Sequence, residues 1–149
     1  MLLRTVRLAA SFAVVALFSA CHGDDSPFEP LPGGLALPVT LTTTSVVSAQ
    51  GPEQMTVAAV PGAVDVTWDL VSGPCLLASA NALQSGQVIE VRVHRSGDPL
   101  ALCAAVQVRY HYVARVVIPG PGSYEVRLVD DLLGQPPRPV GRRTVSVFH

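Results

Sequence analysis

After position 38, apolar and polar residues alternate at every second position, which is the pattern of β-strands. In the clearest stretch, one side is apolar and the other polar: Val64, Val66 and Trp68 against Asp65 and Thr67. A strand with one apolar side suits a sheet that covers a core with one face and meets water with the other.

Stretches of this kind recur between Gly and Pro residues, at 39–47, 55–60, 63–70, 89–94, 106–112, 115–118, 123–129 and 144–148. Pro61-Gly62 suits the centre of a type II turn, because Gly accepts the positive φ required there. Leu76–Leu83 fits either two turns of helix or an irregular crossover. The pattern predicts an all-β fold, an antiparallel β-sandwich of about 7–8 strands, with a small barrel as the alternative.

Composition limits the classes of protein to consider. The chain has 149 residues, enough for one ordinary domain. Its 49% apolar and 14% charged residues exclude general disorder. A net charge of −1 provides no field that attracts nucleic acid, so we expect no nucleic-acid partner.

The first 20 residues have the pattern of an export signal. Met1–Arg7 carries Arg4 and Arg7, and Leu8–Ala20 has no charged residue. As a helix this apolar stretch would span about 20 Å, too short for a bilayer core of about 30 Å. It fits the apolar region of a secretory signal peptide.

The signal ends in Leu17-Phe18-Ser19-Ala20-Cys21. This sequence resembles the lipobox of bacterial lipoproteins. The resemblance implies cleavage before Cys21 and acyl chains such as palmitate on that residue, so that the mature protein is anchored to a membrane of the cell envelope. A plain secreted protein is the alternative. His22, rather than Asp, favours the outer over the inner membrane in that family.

Residues 21–38 are rich in Pro, Gly and acidic side chains, a composition that predicts an extended linker. At about 3.1 Å per residue the linker would hold the folded domain roughly 50 Å from the anchor. The predicted organisation is a signal peptide at 1–20, the lipidated Cys and linker at 21–38, and a β-sandwich domain at 39–149.

The stretch Gly120–Val126 contains Tyr124 after a Gly- and Pro-rich corner. It resembles the corner of immunoglobulin-like domains, where a Tyr hydroxyl bonds back to the main chain. Position 126 is Val, where antibody-type domains have a Cys. The resemblance implies the sandwich and this corner, without a specific family or function.

Two cysteines remain after Cys21. An exported protein meets an oxidising compartment, so we expect Cys75 and Cys103 to form a disulfide. The alternative, a nucleophilic Cys75, would require a base such as His94 or His111, and neither lies in a recognisable catalytic motif.

Other polar residues are weaker candidates for a site. If their strands are neighbours, His94 and His111 could bind copper or zinc, although no third ligand is evident. Asp65 and Asp69 share a strand side that is expected to face solvent. Tyr110 and Tyr112 are predicted to fill the core beside Trp68, with their hydroxyls at its rim.

The stretch Gly134–Arg143 is predicted as a loop between the last two strands. It contains Pro136, Pro137, Arg138, Pro139, Arg142 and Arg143. Proline reduces the entropy lost when a loop binds, and Arg is favoured at interfaces. This loop is therefore a candidate contact for an envelope protein or an anionic glycan, the alternative being a plain solvated connection.

The sequence thus predicts a lipid-anchored binding or structural module of the cell envelope, without cofactor or enzymatic activity. No phosphate-binding loop, nucleophile elbow or zinc motif is present. A loop-based protease inhibitor and a periplasmic metal-binding protein are the alternatives.

Overall fold

In a computed structural model, two stacked β-sheets form the fold, which confirms the predicted all-β sandwich. The structure describes residues 31, 33–46, 54–97 and 106–148. The strands of these residues are β1 (Leu35–Leu37), β2 (Val39–Val46), β3 (Met55–Val60), β4 (Ala63–Ser72), β5 (Leu76–Ser85), β6 (Val88–Gly97), β7 (Val108–Val117), β8 (Gly122–Leu132) and β9 (Arg138–Val147).

One sheet has the strand order β1-β5-β6-β8-β9 and the other β2-β7-β4-β3. Neighbouring strands are antiparallel except β6 and β8, which are parallel. This pair departs from the predicted antiparallel arrangement. Its cause is β7, which lies in the other sheet and returns the chain to its starting end, so that β8 runs in the same direction as β6.

The fold begins earlier than the sequence predicts. Leu35–Leu37 forms β1 within the expected linker and pairs with residues 82–84 of β5. Pro38 then separates β1 from β2, and the chain passes from one sheet to the other at this point. The Pro38 carbonyl accepts a hydrogen bond from the Val117 amide at 3.0 Å.

Three predicted boundaries are wrong. Leu76–Leu83 is neither helix nor crossover but part of β5. The strands predicted at 106–112 and 115–118 are replaced by one continuous strand, β7, over Val108–Val117. The last strand begins at Arg138 rather than at Thr144. In β5, Ala and Ser hide an inside–outside alternation, which pairing with β6 enforces.

The core lies between the sheets and takes the apolar side of each strand. Val64, Val66 and Trp68 are buried, as the alternation predicts. Trp68 stacks on Tyr112 with ring centroids 5.0 Å apart, and Tyr110 lies 5.9 Å from Tyr112. The predicted core position of both tyrosines is confirmed, with Tyr112 directly against Trp68 and Tyr110 against Tyr112.

Two turns follow the sequence prediction. Gly62 has a φ of 68°, as the second central position of a type II turn requires. The Tyr124 hydroxyl donates a hydrogen bond to the Gly120 carbonyl at 3.0 Å. The corner between β7 and β8 is therefore closed by the back-bond expected from the tyrosine.

Candidate functional site at the loop end of the sandwich

The two ends of the sandwich differ in how strands are connected. At the turn end, short connections at 61–62, 86–87 and 118–121 join the strands. At the opposite loop end lie the connections that follow Val46, Ser72, Gly97 and Leu132. Binding residues concentrate on loops that a rigid scaffold positions, so the loop end is the first place to look for a site.

A buried ion pair lies between the sheets at this end. Arg95 of β6 and Asp130 of β8 form a two-point contact, with Arg95 Nε 2.6 Å from Asp130 Oδ1, and both residues are buried. Arg138, the first residue of β9, comes within 3.7 Å of the same carboxylate. Asp130 thus ties two central strands to the start of β9.

A cavity of about 340 Å³ opens beside this ion pair. Leu70 and Val71 of β4 form one side, and Gln135 and Pro136 of the β8–β9 turn form another. Ser72, Arg95, Asp130, Gln135 and Arg138 also line it, so this cavity is more polar than the mostly apolar pockets that usually bind small molecules.

A second cleft, of about 280 Å³, lies on the outer face of the five-stranded sheet. Ser79, His94 and Asp131 occur side by side on β5, β6 and β8. His94 Nδ1 lies 2.9 Å from Asp131 Oδ2, which orients the ring. Leu77 and Leu133 flank this row and are 56% and 79% exposed. The cleft therefore offers two aliphatic contacts beside an oriented imidazole.

Two aromatic residues of the core, Tyr110 and Tyr112, lie towards the loop end. The Tyr110 hydroxyl donates to the Gly73 carbonyl at 3.2 Å, in the connection that follows β4. The Tyr112 hydroxyl is buried and has no partner among the described residues. Burial raises the pKa of Tyr112 to about 12. Tyr110 thus confirms the expected rim position, whereas the Tyr112 hydroxyl lies deeper.

The predicted Gly134–Arg143 loop is divided by the fold, because β9 begins at Arg138. Pro136 and Pro137 are exposed in the turn, and Arg138 is 54% exposed at its end. Arg142 lies opposite Arg127 within the sheet, and Arg143 lines a groove between β9 and Met55 of β3. The prediction of one cationic loop is therefore wrong: only Arg138 belongs to the loop end. Edge position allows β9 to include Pro139, since proline cannot donate to a neighbouring strand.

His94 and His111 are not neighbours. His94 lies on the outer face of one sheet and His111 on the outer face of the other, where its Nδ1 is 2.7 Å from Asp69. The described residues contain no group of three or more potential metal ligands. The predicted two-histidine arrangement is therefore not formed.

The two predicted solvent-facing carboxylates are both ion-paired on the outer face of the four-stranded sheet. Arg115 contacts both oxygens of Asp65 at 2.7 Å, and this hydrogen bonding lowers the pKa of Asp65. Asp69 contacts His111 and lies 3.5 Å from Arg109. Both carboxylates therefore serve as ion-pair partners on the surface of this sheet.

Of the predicted cysteine sites, only Cys75 is described. It joins β4 to β5 at a φ of 67°, where the chain changes sheet. Cys21 and Cys103 lie outside the described residues.

The Arg95–Asp130 pair is the main feature that sequence reasoning missed. Arg95 continues the inward side of Ile89, Val91 and Val93, and Asp130 continues that of Leu128. A charged residue at an inward position near each strand end was the available signal. It shows that an ion pair could form, but not which partners meet.

Comparison with known proteins finds no matching family model, characterised protein or solved structure. Within the described residues, no helix has the length and apolar character needed to span a bilayer.

Proposed function

We propose that the protein is a lipid-anchored binding module of the bacterial cell envelope, and that its loop end is the binding surface. This proposal rests on one observation: the start of the fold and the longer connections lie at opposite ends of the sandwich. Leu35 joins the fold opposite Gln84, at the turn end, whereas the longer connections lie at the other end. A chain tethered through the residues before Leu35 would present its loop end away from the anchor.

The anchor is the acylated Cys21, in the outer rather than the inner membrane. Support comes from the basic start, the uncharged stretch and the small residues before Cys21. Two or three acyl chains hold a protein on a bilayer, whereas one binds only marginally.

A Cys75–Cys103 disulfide closes the loop end. The connection that carries Cys103 starts after Gly97, opposite Leu76, and ends at Val108, opposite Ser72. Leu76 and Ser72 flank Cys75 on either side. Both ends of the connection are thus held near Cys75, which favours this pairing in an oxidising compartment.

The intact mass of the chain, extracted from membranes and alkylated without reduction, tests anchor and disulfide together. The expected species starts at Cys21, carries two or three acyl chains and has no alkylated thiol. A non-acylated chain would contradict the anchor, and alkylated Cys75 and Cys103 would contradict the disulfide.

The proposed binding surface contains two features. Leu77 and Leu133 flank the His94–Asp131 pair in one cleft, and Pro136 lines a second cleft together with Arg138. Arg is enriched at protein interfaces, and burial of exposed aliphatic surface adds a hydrophobic contribution. An envelope protein or an anionic glycan is the expected partner.

A photo-crosslinking amino acid at Leu133 tests this surface in cells that produce the full chain. Phe148 is the matched control, because it is 76% exposed against 79% for Leu133 and lies at the turn end. We expect an envelope adduct from Leu133 and none from Phe148. Equal labelling from both sites, or labelling from Phe148 alone, would refute a binding surface at the loop end.

One observation keeps a loop-based protease inhibitor as the second candidate: Pro136 and Pro137 place Arg138 at the exposed end of a turn. Such a loop would occupy a trypsin-like active site. We expect a complex with the protease and slow cleavage at or near Arg138–Arg143. No effect on a panel of trypsin-like proteases would exclude this candidate.

A further inference from the structure

The charged residues of this chain are distributed unevenly around the sandwich. The two longest stretches without a charged side chain after Cys21 are 30–52 and 70–89. The first contains β1 and β2, and the second contains β5. The fold brings these strands to the same side, because β1 and β2 are one run of chain and β1 pairs with β5. We name β2 and residues 76–81 of β5 the uncharged side.

The opposite side of the sandwich is different. There β9 packs against β3, and a Cβ added to Gly141 would lie 3.1 Å from Met55 Sδ. β9 also carries Arg138, Pro139, Arg142 and Arg143. Charges and proline on an edge strand oppose pairing with another chain. The sequence of β2 contains neither; β3 contains neither as well, but β9 packs against it.

The uncharged side leaves both backbone and core partly open. Among the described residues, β1 pairs only with residues 82–84 of β5, and β2 lies at an edge of its sheet. Leu41 of β2 and Leu76, Ala78 and Ala80 of β5 pack on the core but are only partly buried. Thr42, Thr43, Thr44 and Ser45 are exposed on both faces of β2. Depletion of charge over such a surface is the compositional sign of an interface.

The pairing of β2 with β7 decides which backbone groups of β2 point away from β7. Since the Pro38 carbonyl bonds to Val117, even-numbered residues of β2 face β7 in the alternating antiparallel ladder. The N–H and C=O groups of Val39, Leu41, Thr43 and Ser45 therefore point away from β7, where another strand can pair with them.

We propose that the uncharged side is a homodimer interface, in which β2 pairs antiparallel with β2 of a second copy about a two-fold axis at Thr42. In that register Thr40 faces Thr44 of the second copy, and Thr42 faces its own equivalent. Thr–Thr cross-strand pairs are favourable. A second copy fits because an uncharged strand meets its own copy without repulsion, and an antiparallel edge is self-complementary. The two loop ends then point in opposite directions along the paired strands.

Sedimentation of the full chain, in density-matched detergent from about 1 µM to about 100 µM, tests the interface. We expect a monomer–dimer equilibrium. T42K, which places two ammonium groups face to face at the axis, should raise the dimer Kd at least tenfold. T56K is the matched control, since Thr42 and Thr56 are exposed threonines in one row across the same sheet, at opposite edges. It should leave the Kd unchanged.

A monomer throughout that range would overturn the proposal, as would equal weakening by T42K and T56K. A photo-crosslinking amino acid at Thr42, in a chain that carries neither T42K nor T56K, tests the interface without relying on the folding of those variants. The expected adduct has twice the mass of the chain. An adduct only with a different protein would assign this side to another partner and refute the homodimer.

Discussion

Tyr112 is fully buried, and its hydroxyl has no hydrogen-bond partner among the described residues. A buried donor without a partner costs about 1–3 kcal/mol. Tyr112→Phe removes this cost and keeps the stack on Trp68, so the free energy of unfolding at pH 7 should stay unchanged or rise by about 1 kcal/mol. Urea denaturation measures this free energy of unfolding. A loss above about 2 kcal/mol in Tyr112→Phe would show that the Tyr112 hydroxyl has a hydrogen-bond partner.

The same residue predicts an alkaline effect. The folded pKa of Tyr112, about 12, lies above its usual value of 10, so the unfolded chain loses the proton first. Stability from this residue is therefore complete below pH 10 and is lost as pH rises toward 12. Part of the alkaline destabilisation of the protein should be absent in Tyr112→Phe.

Asp65 predicts the opposite pH dependence. Hydrogen bonding from Arg115 lowers the folded pKa of this carboxyl, so its stabilising effect is present above about pH 4 and is lost as pH falls through the folded pKa. Asp65→Asn should lower the melting temperature slightly at pH 7, because the pair is partly exposed. The difference from wild type should shrink progressively at acid pH, as the carboxyl becomes protonated in the folded chain. A difference that persists there would assign the effect to packing.

At the scale of elements, the Arg95–Asp130 pair joins β6 to β8. Asp130→Asn leaves a buried guanidinium without its charge partner and should cost about 3–5 kcal/mol. Replacement of both residues, Arg95→Met with Asp130→Leu, should recover much of this loss. Asp131→Asn is the matched control, because its pair with His94 is partly exposed and should contribute less than about 1 kcal/mol. Equal losses from Asp130→Asn and Asp131→Asn would show that burial does not set the cost.

The elements also show the limits of local sequence patterns. Strong alternation at 63–70 located β4 because Val, Trp and Asp differ sharply in hydrophobicity. The same alternation in β5 was obscured, since Ala and Ser occupy inward and outward positions with little contrast. In β9, five of the six residues before Thr144 are Arg, Pro or Gly, which local preference does not place in a strand. Pairing with β8 makes this segment a strand.

At the scale of the whole molecule, the proposed Cys75–Cys103 disulfide closes a loop of 28 positions (103 − 75). In the chain-entropy model such a loop contributes about 3.5 kcal/mol. Reduction under native conditions should therefore lower the melting temperature, and a Cys75→Ser, Cys103→Ser variant should not respond to reductant. Equal melting with and without reductant in the wild-type chain would contradict this pairing.

The sequence by itself determined the all-β class, most strand positions, the Pro61-Gly62 turn and the Tyr124 corner. These features depend on local preference: side-chain alternation, positive φ at Gly, and a hydroxyl that bonds four residues back. Only the tertiary structure decided which strands are neighbours. It separated His94 from His111, dispersed Arg138, Arg142 and Arg143, and joined Arg95 to Asp130. The physical reason is that strand order and sheet assignment depend on packing between distant segments, which no local pattern specifies.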